Sequence, residues 1–104
     1  MQEKFIKIQE ELLAGKAQLF DVREQDEWDA GHLKLAHLIA LSELREGEEP
    51  SEDFDRTKKT YLHCRSGGRV LAAEPILTND FDFEDVIPLA EGFSSLLDEG
   101  FEEA

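Results

Sequence analysis

Four short apolar runs, each followed by a segment typical of a helix or helical turn, most constrain the fold of this chain. The runs lie at 17–22, 36–41, 58–64 and 85–89, and a helix pattern at about 3–14 precedes the first of them. Strands that alternate with helices at this spacing pair in parallel, with the helices covering the sheet. We therefore predict an α/β fold with a mainly parallel sheet of four to five strands and helices on both faces.

The helix ends are predicted from capping residues and from proline. Ser42 is a good N-cap for a short helix after the second strand. The helix after the third strand would begin in the glycine turn at 67–68, but Pro75 lies inside it. Because proline removes a backbone hydrogen bond and clashes with the preceding turn, we expect a kink or an early break near 72–74.

The length and the charge of the chain limit what it can do. A chain of 104 residues is long enough for one core and too short for two, so we predict a single domain over 1–104. Its formal net charge of −14 opposes binding to nucleic acid or to anionic lipid. The C-terminal third should form an acidic surface, which serves either solubility or docking of a basic partner.

The solitary cysteine and the apolar pattern indicate the compartment. One cysteine excludes an internal disulfide framework and fits a reducing environment. The chain begins with an amphipathic charged segment, and no uninterrupted apolar run approaches the length that spans a membrane. We therefore predict a cytoplasmic protein with no membrane partner.

The stretch around Cys64 carries the chemistry. Gly67 and Gly68 permit backbone angles closed to other residues, so the N–H groups from 65 to 69 can turn inward as an anion-binding nest. A nest and the start of the following helix both lower the pKa of a thiol. Asp21 and Arg23 end their own strand at the same sheet edge, where ligands of parallel sheets bind. The sequence therefore predicts a reactive thiolate in a pocket at this edge.

Three segments resemble those of a known family. The segment 63–69, HCRSGGR, resembles the active-site loop of single-domain rhodanese-family sulfurtransferases. The segment 19–33, through its residues 19–24, 27–28 and 31–33, resembles the first signature of that family, and the segment 89–93, LAEGF, resembles its C-terminal one. The resemblance runs over nearly the whole chain and implies a rhodanese-like three-layer fold.

The resemblance also implies a reaction and a set of site residues. Cys64 would take a sulfane sulfur from thiosulfate or a persulfide donor and pass it from a Cys64 persulfide to a thiol, to cyanide or to a sulfur-relay protein. No cofactor is implied. The implied anion-binding loop consists of Arg65, Ser66, Gly67, Gly68 and Arg69, and the supporting residues are Asp21, Arg23, Glu27 and His32.

Two arginines of the loop have predicted roles. Arg65 is expected to meet an anionic donor. Arg69 is expected to be held by a carboxylate, from either Asp21 or Glu27, in a paired geometry.

The chain departs from the family pattern at three places. Leu-Lys-Leu-Ala at 33–36 stands where the family usually has Ile-Pro-Gly-Ala, Glu91 replaces a glycine, and Leu96 stands where a tryptophan is expected. These differences affect packing and the rim of the pocket, so they bear on substrate choice more than on the chemistry.

Two alternatives stay open, and a third kind of site has little support. Cysteine-dependent phosphatases and arsenate reductases use a similar loop, but they place five residues between Cys and Arg, whereas four separate Cys64 from Arg69. A non-catalytic rhodanese-like module would use the fold to bind a protein. A metal site has little support, because His32, His37 and His63 show no ligand spacing with Cys64. We therefore predict no metal.

Overall fold

A computed structural model describes residues 2–104 and confirms the predicted alternation of strands and helices. No helix of the described residues is long and apolar enough to cross a membrane. The elements in order are α1 (Glu3–Leu13), β1 (Ala17–Asp21), α2 (Gln25–Ala30), β2 (Ala36–Leu38), α3 (Leu41–Arg45), β3 (Lys59–His63), α4 (Arg69–Asp80), β4 (Val86–Pro88) and α5 (Phe93–Asp98).

The sheet has four parallel strands in the order β2-β1-β3-β4. This confirms the predicted parallel α/β fold. The two central strands, β1 and β3, pair over their full lengths, and Asp21 lies opposite His63 at their carboxyl ends. The chain segments that leave these two strands therefore start side by side, which brings the residues after Asp21 close to Cys64.

The two faces of the sheet carry separate cores because side chains alternate along each strand. Leu19 and Tyr61 face the layer that contains α1 and α5. Their neighbours Phe20 and Leu62 face the opposite layer, which contains α3 and α4. Cys64 belongs to the second cluster, so the predicted nucleophile lies on the α3 and α4 side of the sheet.

The break predicted near Pro75 does not occur. Helix α4 is continuous for 12 residues, from Arg69 to Asp80, with Pro75 inside it. Pro75 and Leu71, whose carbonyl oxygen would have accepted the missing hydrogen bond, are both exposed. Water can therefore satisfy that carbonyl group, while Val70, Ala73 and other residues on the buried face hold the helix against the sheet.

The predicted N-cap of α3 is wrong by two positions. Ala40 is the N-cap, and Ser42 lies inside the helix. The hydroxyl and backbone N–H of Ser42 both donate to the carboxylate of Glu24, which precedes α2. The serine hydroxyl therefore joins α3 to α2 instead of closing its own helix.

Candidate active site

Cys64 follows directly after β3 and lies beneath the loop that joins β3 to α4. Its side chain is only 1% exposed. The backbone N–H of Gly67 donates to the Cys64 Sγ at 3.1 Å. Gly67 has a φ of +90°, an angle that residues with a Cβ rarely adopt. The glycine therefore allows the chain to turn its N–H group back onto the sulfur.

Two opposing effects set the pKa of the Cys64 thiol. Burial is the largest single influence and raises the pKa, because it disfavours the charged thiolate. The backbone N–H groups of Val70, Ser66, Gly67 and Arg69 act in the opposite direction. Together they outweigh burial and hold the pKa below its usual value, so the loop favours a thiolate at Cys64.

Arg69 pairs with Glu27, one of the two carboxylates considered for it. The two guanidinium-to-carboxylate distances are 2.6 and 2.9 Å. The hydrogen bond from Arg69 lowers the pKa of Glu27 to about 2. Glu27 also accepts the backbone N–H of Glu24 at the start of α2. This pair therefore ties the start of α2 to the start of α4, at the end of the cysteine loop.

Asp21 pairs with Arg23 in the interior. Their side chains are 0% and 6% exposed, and the Arg23 Nε lies 3.0 Å from both carboxylate oxygens. Arg23 also donates to the carbonyl oxygen of Gly31 at 2.8 Å and lies 4.4 Å from the ring centre of Phe93. This buried pair therefore connects the end of β1 with the C-terminal end of α2 and the first residue of α5.

The remaining predicted residues lie at the edge of this arrangement. Arg65 and Ser66 are exposed on the loop. The ring of His32 stacks on Trp28 at 3.7 Å between centres, and its Nδ1 lies 3.0 Å from the Trp28 carbonyl oxygen. His32 thus packs at the C-terminal end of α2.

The segment 90–93 supports the loop, a role that sequence reasoning did not assign. The Phe93 N–H donates to the carbonyl oxygen of Cys64 at 2.9 Å. A Cβ on Gly92 would lie 1.7 Å from the Arg65 carbonyl oxygen, and one on Gly67 would lie 2.5 Å from the Ala90 carbonyl oxygen. Only the LAEGF signature pointed to this segment, and it did so without indicating a contact.

His63 was interpreted as a strand residue packed beside the loop, and it is fully buried there. Its Nδ1 lies 3.2 Å from the Cys64 carbonyl oxygen, and its Nε2 lies 3.6 Å from Asp21 Oδ2 without a hydrogen bond. Burial lowers the pKa of His63, so the ring is neutral near pH 7.

An open groove of about 440 Å³ lies beside the loop. We call it the site groove. Ser42 and Arg45 of α3 line it, together with Ser66 and Gly68 of the loop and Arg69 at the start of α4. Within residues 2–104, no three His, Cys, Asp or Glu side chains are grouped as metal ligands would be. The loop therefore holds a buried thiol of lowered pKa, and the groove beside it carries arginine side chains that can attract an anion.

The Arg69–Glu27 pair predicts a pH-dependent contribution to stability. Because the pKa of Glu27 falls from 4.5 to about 2 in the folded protein, the contribution is fully present above pH 4.5 and is lost as the pH falls towards 2. Glu27→Gln should lower the free energy of unfolding by about 1–2 kcal/mol at pH 7. Urea unfolding from pH 7 to pH 3 measures this difference, which should shrink on acidification. A constant difference would contradict the assignment.

Comparisons with known proteins identify the family and the fold of the chain. The sequence model of the family described as rhodanese-like domain matches residues 6–101. The fold is similar to the human single-domain sulfurtransferase TSTD1, with 25% identity over 90% of this chain and 92% of that one and a TM-score of 0.75. It is also similar to a rhodanese-related protein from Thermoplasma volcanium, with 26% identity over 96% of this chain and 93% of that one and a TM-score of 0.73.

A curated relative covers part of the chain. The uncharacterized protein YqhL of Bacillus subtilis (strain 168) is 40% identical over 63 residues, which are 59% of this chain and 48% of that protein. The match thus spans about half the length of this relative. Because the family model covers nearly all of the sequence, the chain belongs to the rhodanese-like domain family.

Proposed function

We propose that this chain is a sulfurtransferase that moves a sulfane sulfur from thiosulfate or a persulfide donor to a thiophilic acceptor through a Cys64 persulfide. The observation that carries the proposal is the Cys64 sulfur, held under a loop whose backbone N–H groups lower its pKa. Family membership and the likeness to a human protein described as a sulfurtransferase support the type of reaction.

In the first step, the Cys64 thiolate attacks the outer sulfur of thiosulfate. A bond forms between Sγ and that sulfur, and the sulfur–sulfur bond of the donor breaks. Its electron pair leaves with sulfite, so Cys64 carries a persulfide. In the second step, a nucleophile such as cyanide or a thiolate attacks the outer sulfur. Cyanide leaves as thiocyanate, and the electron pair of the persulfide bond returns to Cys64 as thiolate.

The loop stabilises the anionic sulfur in both steps. The backbone N–H of Gly67 already donates to Sγ, so little reorganisation is needed when negative charge is concentrated there. The outer sulfur of the persulfide carries the charge after the first step, and we expect N–H groups of the same loop to stabilise it there. Low exposure of Cys64 strengthens these interactions by excluding water.

The flanking residues have separate roles in this proposal. Arg65 is exposed on the loop and forms no ion pair within residues 2–104, so it is available to an anionic donor. Arg69 positions the loop through Glu27. The Asp21–Arg23 pair supports the base of the site. Residues 1–104 together act as one catalytic domain.

Mass spectrometry of the intact protein tests the proposal. After incubation with thiosulfate, the wild type should be heavier by one sulfur atom, and cyanide should remove that atom as an equal amount of thiocyanate. Peptide mapping should locate the sulfur on Cys64, and prior alkylation with iodoacetamide should prevent its addition.

Two outcomes would contradict the proposal. The absence of an adduct with both thiosulfate and a persulfide donor would favour the non-catalytic, protein-binding alternative. Hydrolysis of a simple phosphate ester, dependent on Cys64 and without a sulfur adduct, would favour the phosphatase alternative.

A further inference from the structure

The arginines of this acidic chain divide into two groups. The chain has 25 acidic residues, so an arginine readily finds a carboxylate. Three of its five arginines do so, namely Arg23, Arg56 and Arg69. Within residues 2–104, Arg45 and Arg65 form no ion pair, and both border the candidate active site. Arg65 follows Cys64 in the loop, whereas Arg45 comes from α3.

Arg45 is the cation of the site groove that remains available to a ligand. Arg69 also lines the groove, but both of its terminal nitrogens are bound to Glu27. Glu24, a carboxylate of the same groove, accepts hydrogen bonds from Ser42. Arg45 is exposed and lines the groove together with Ser66 and Gly68 of the loop.

The chemistry of the donor requires such a cation. Because Cys64 is buried, a donor whose outer sulfur reaches Sγ leaves its other end outside the loop, and the groove lined by Ser66 and Gly68 lies next to the loop on its outer side. In thiosulfate that other end is a sulfonate-like group with negatively charged oxygens. The net charge of −14 repels this group, and a local cation reduces the repulsion along the path of approach.

We propose that Arg45 forms an anion subsite in the site groove, which binds the charged end of the sulfur donor while the loop binds the sulfur to be transferred. This subsite rests on the proposed function. It makes Arg45 a residue that determines specificity for anionic donors. The contact acts on binding, since Arg45 belongs to α3 and not to the loop that holds the sulfur.

Alkylation of Cys64 by two reagents of similar size tests the subsite without any turnover. Iodoacetate carries a carboxylate, and iodoacetamide carries a neutral amide. The second-order rate constant for alkylation of Cys64 by iodoacetate, divided by that for iodoacetamide, therefore reports the electrostatic potential near Cys64. In Arg45→Gln this ratio should fall about fivefold, as expected for one charge near the path of approach. The fall should diminish as salt is raised.

Two variants control this experiment. Lys16→Gln removes the same charge at an exposed site just before β1, at the other edge of the sheet, and should leave the ratio unchanged. Arg45→Lys keeps the charge and should retain most of the wild-type ratio. A ratio that falls no further in Arg45→Gln than in Lys16→Gln would overturn the subsite.

Steady-state kinetics with thiosulfate and cyanide separate the subsite from the proposed function. Arg45→Gln should raise the KM for thiosulfate about fivefold and change kcat less than twofold. If Arg45→Gln turns over thiosulfate with an unchanged KM and an unchanged alkylation ratio, the subsite is contradicted and the sulfurtransferase proposal is retained. If the alkylation ratio changes but the wild-type protein shows no turnover, the sulfurtransferase proposal is contradicted and the anion subsite is retained.

Discussion

Replacing Cys64 with serine is expected to abolish sulfur transfer while the fold is retained. A serine hydroxyl is almost entirely protonated near pH 7, and its oxygen cannot carry a persulfide. Sulfur transfer should therefore fall by about three orders of magnitude or more. The smaller oxygen can still accept the Gly67 N–H, so the free energy of unfolding should change by about 1 kcal/mol.

Thiocyanate formation and the intact mass measure this effect together. Cys64→Ser should show no added sulfur at any thiosulfate concentration, and urea unfolding should show one cooperative transition for both proteins. An equal adduct on Cys64→Ser would place the reactive group elsewhere. Such a result would remove the role proposed for the loop.

Replacing Gly92 with alanine is expected to damage both the stability and the site. The new Cβ would lie 1.7 Å from the Arg65 carbonyl oxygen, and the atom it meets belongs to the backbone and cannot rotate away. The φ of Gly92 is −90°, so alanine adopts the backbone angles without strain and the effect is purely steric. The loop must move, which should cost about 3 kcal/mol of stability and about a hundredfold in sulfur transfer.

Gly68→Ala is the matched control for this steric argument. Gly68 lies in the same loop at a φ of −84°, and nothing lies within 4 Å of the position that its Cβ would take. Its free energy of unfolding should stay within about 0.5 kcal/mol of the wild type. Thermal or urea unfolding compares the two variants. Equal stability of Gly92→Ala and Gly68→Ala would show that the loop is not packed on residue 92.

The sheet could be predicted because its signal is local and repeated. Leu19 and Phe20, like Tyr61 and Leu62, are adjacent apolar residues in strands covered on both faces, and such runs are typical of parallel sheets. The cysteine loop was also predictable, since Gly67 must adopt a positive φ to turn its N–H onto the sulfur. Both patterns lie within a few consecutive residues.

The errors and omissions concern contacts between distant segments. The sequence could not decide between Asp21 and Glu27 as the partner of Arg69, because the choice depends on how α2 lies against α4. The break expected at Pro75 assumed an unsatisfied carbonyl group, whereas exposure to water removes that cost. Arg45 was not predicted as a site residue, because its role depends on the other arginines being paired with carboxylates, which only the structure shows.

The hydrogen bond between Phe93 and Cys64 has a consequence for synthesis on the ribosome. The segment 90–93 follows the cysteine loop in the chain, and this segment packs on the loop. While residues 64–70 have left the ribosome and residues 90–93 have not, the sulfur lacks the packing that shapes its surroundings. The surroundings that lower the pKa of the Cys64 thiol therefore depend on a segment that is synthesised later, and they are complete only once residues 90–93 have packed on the loop.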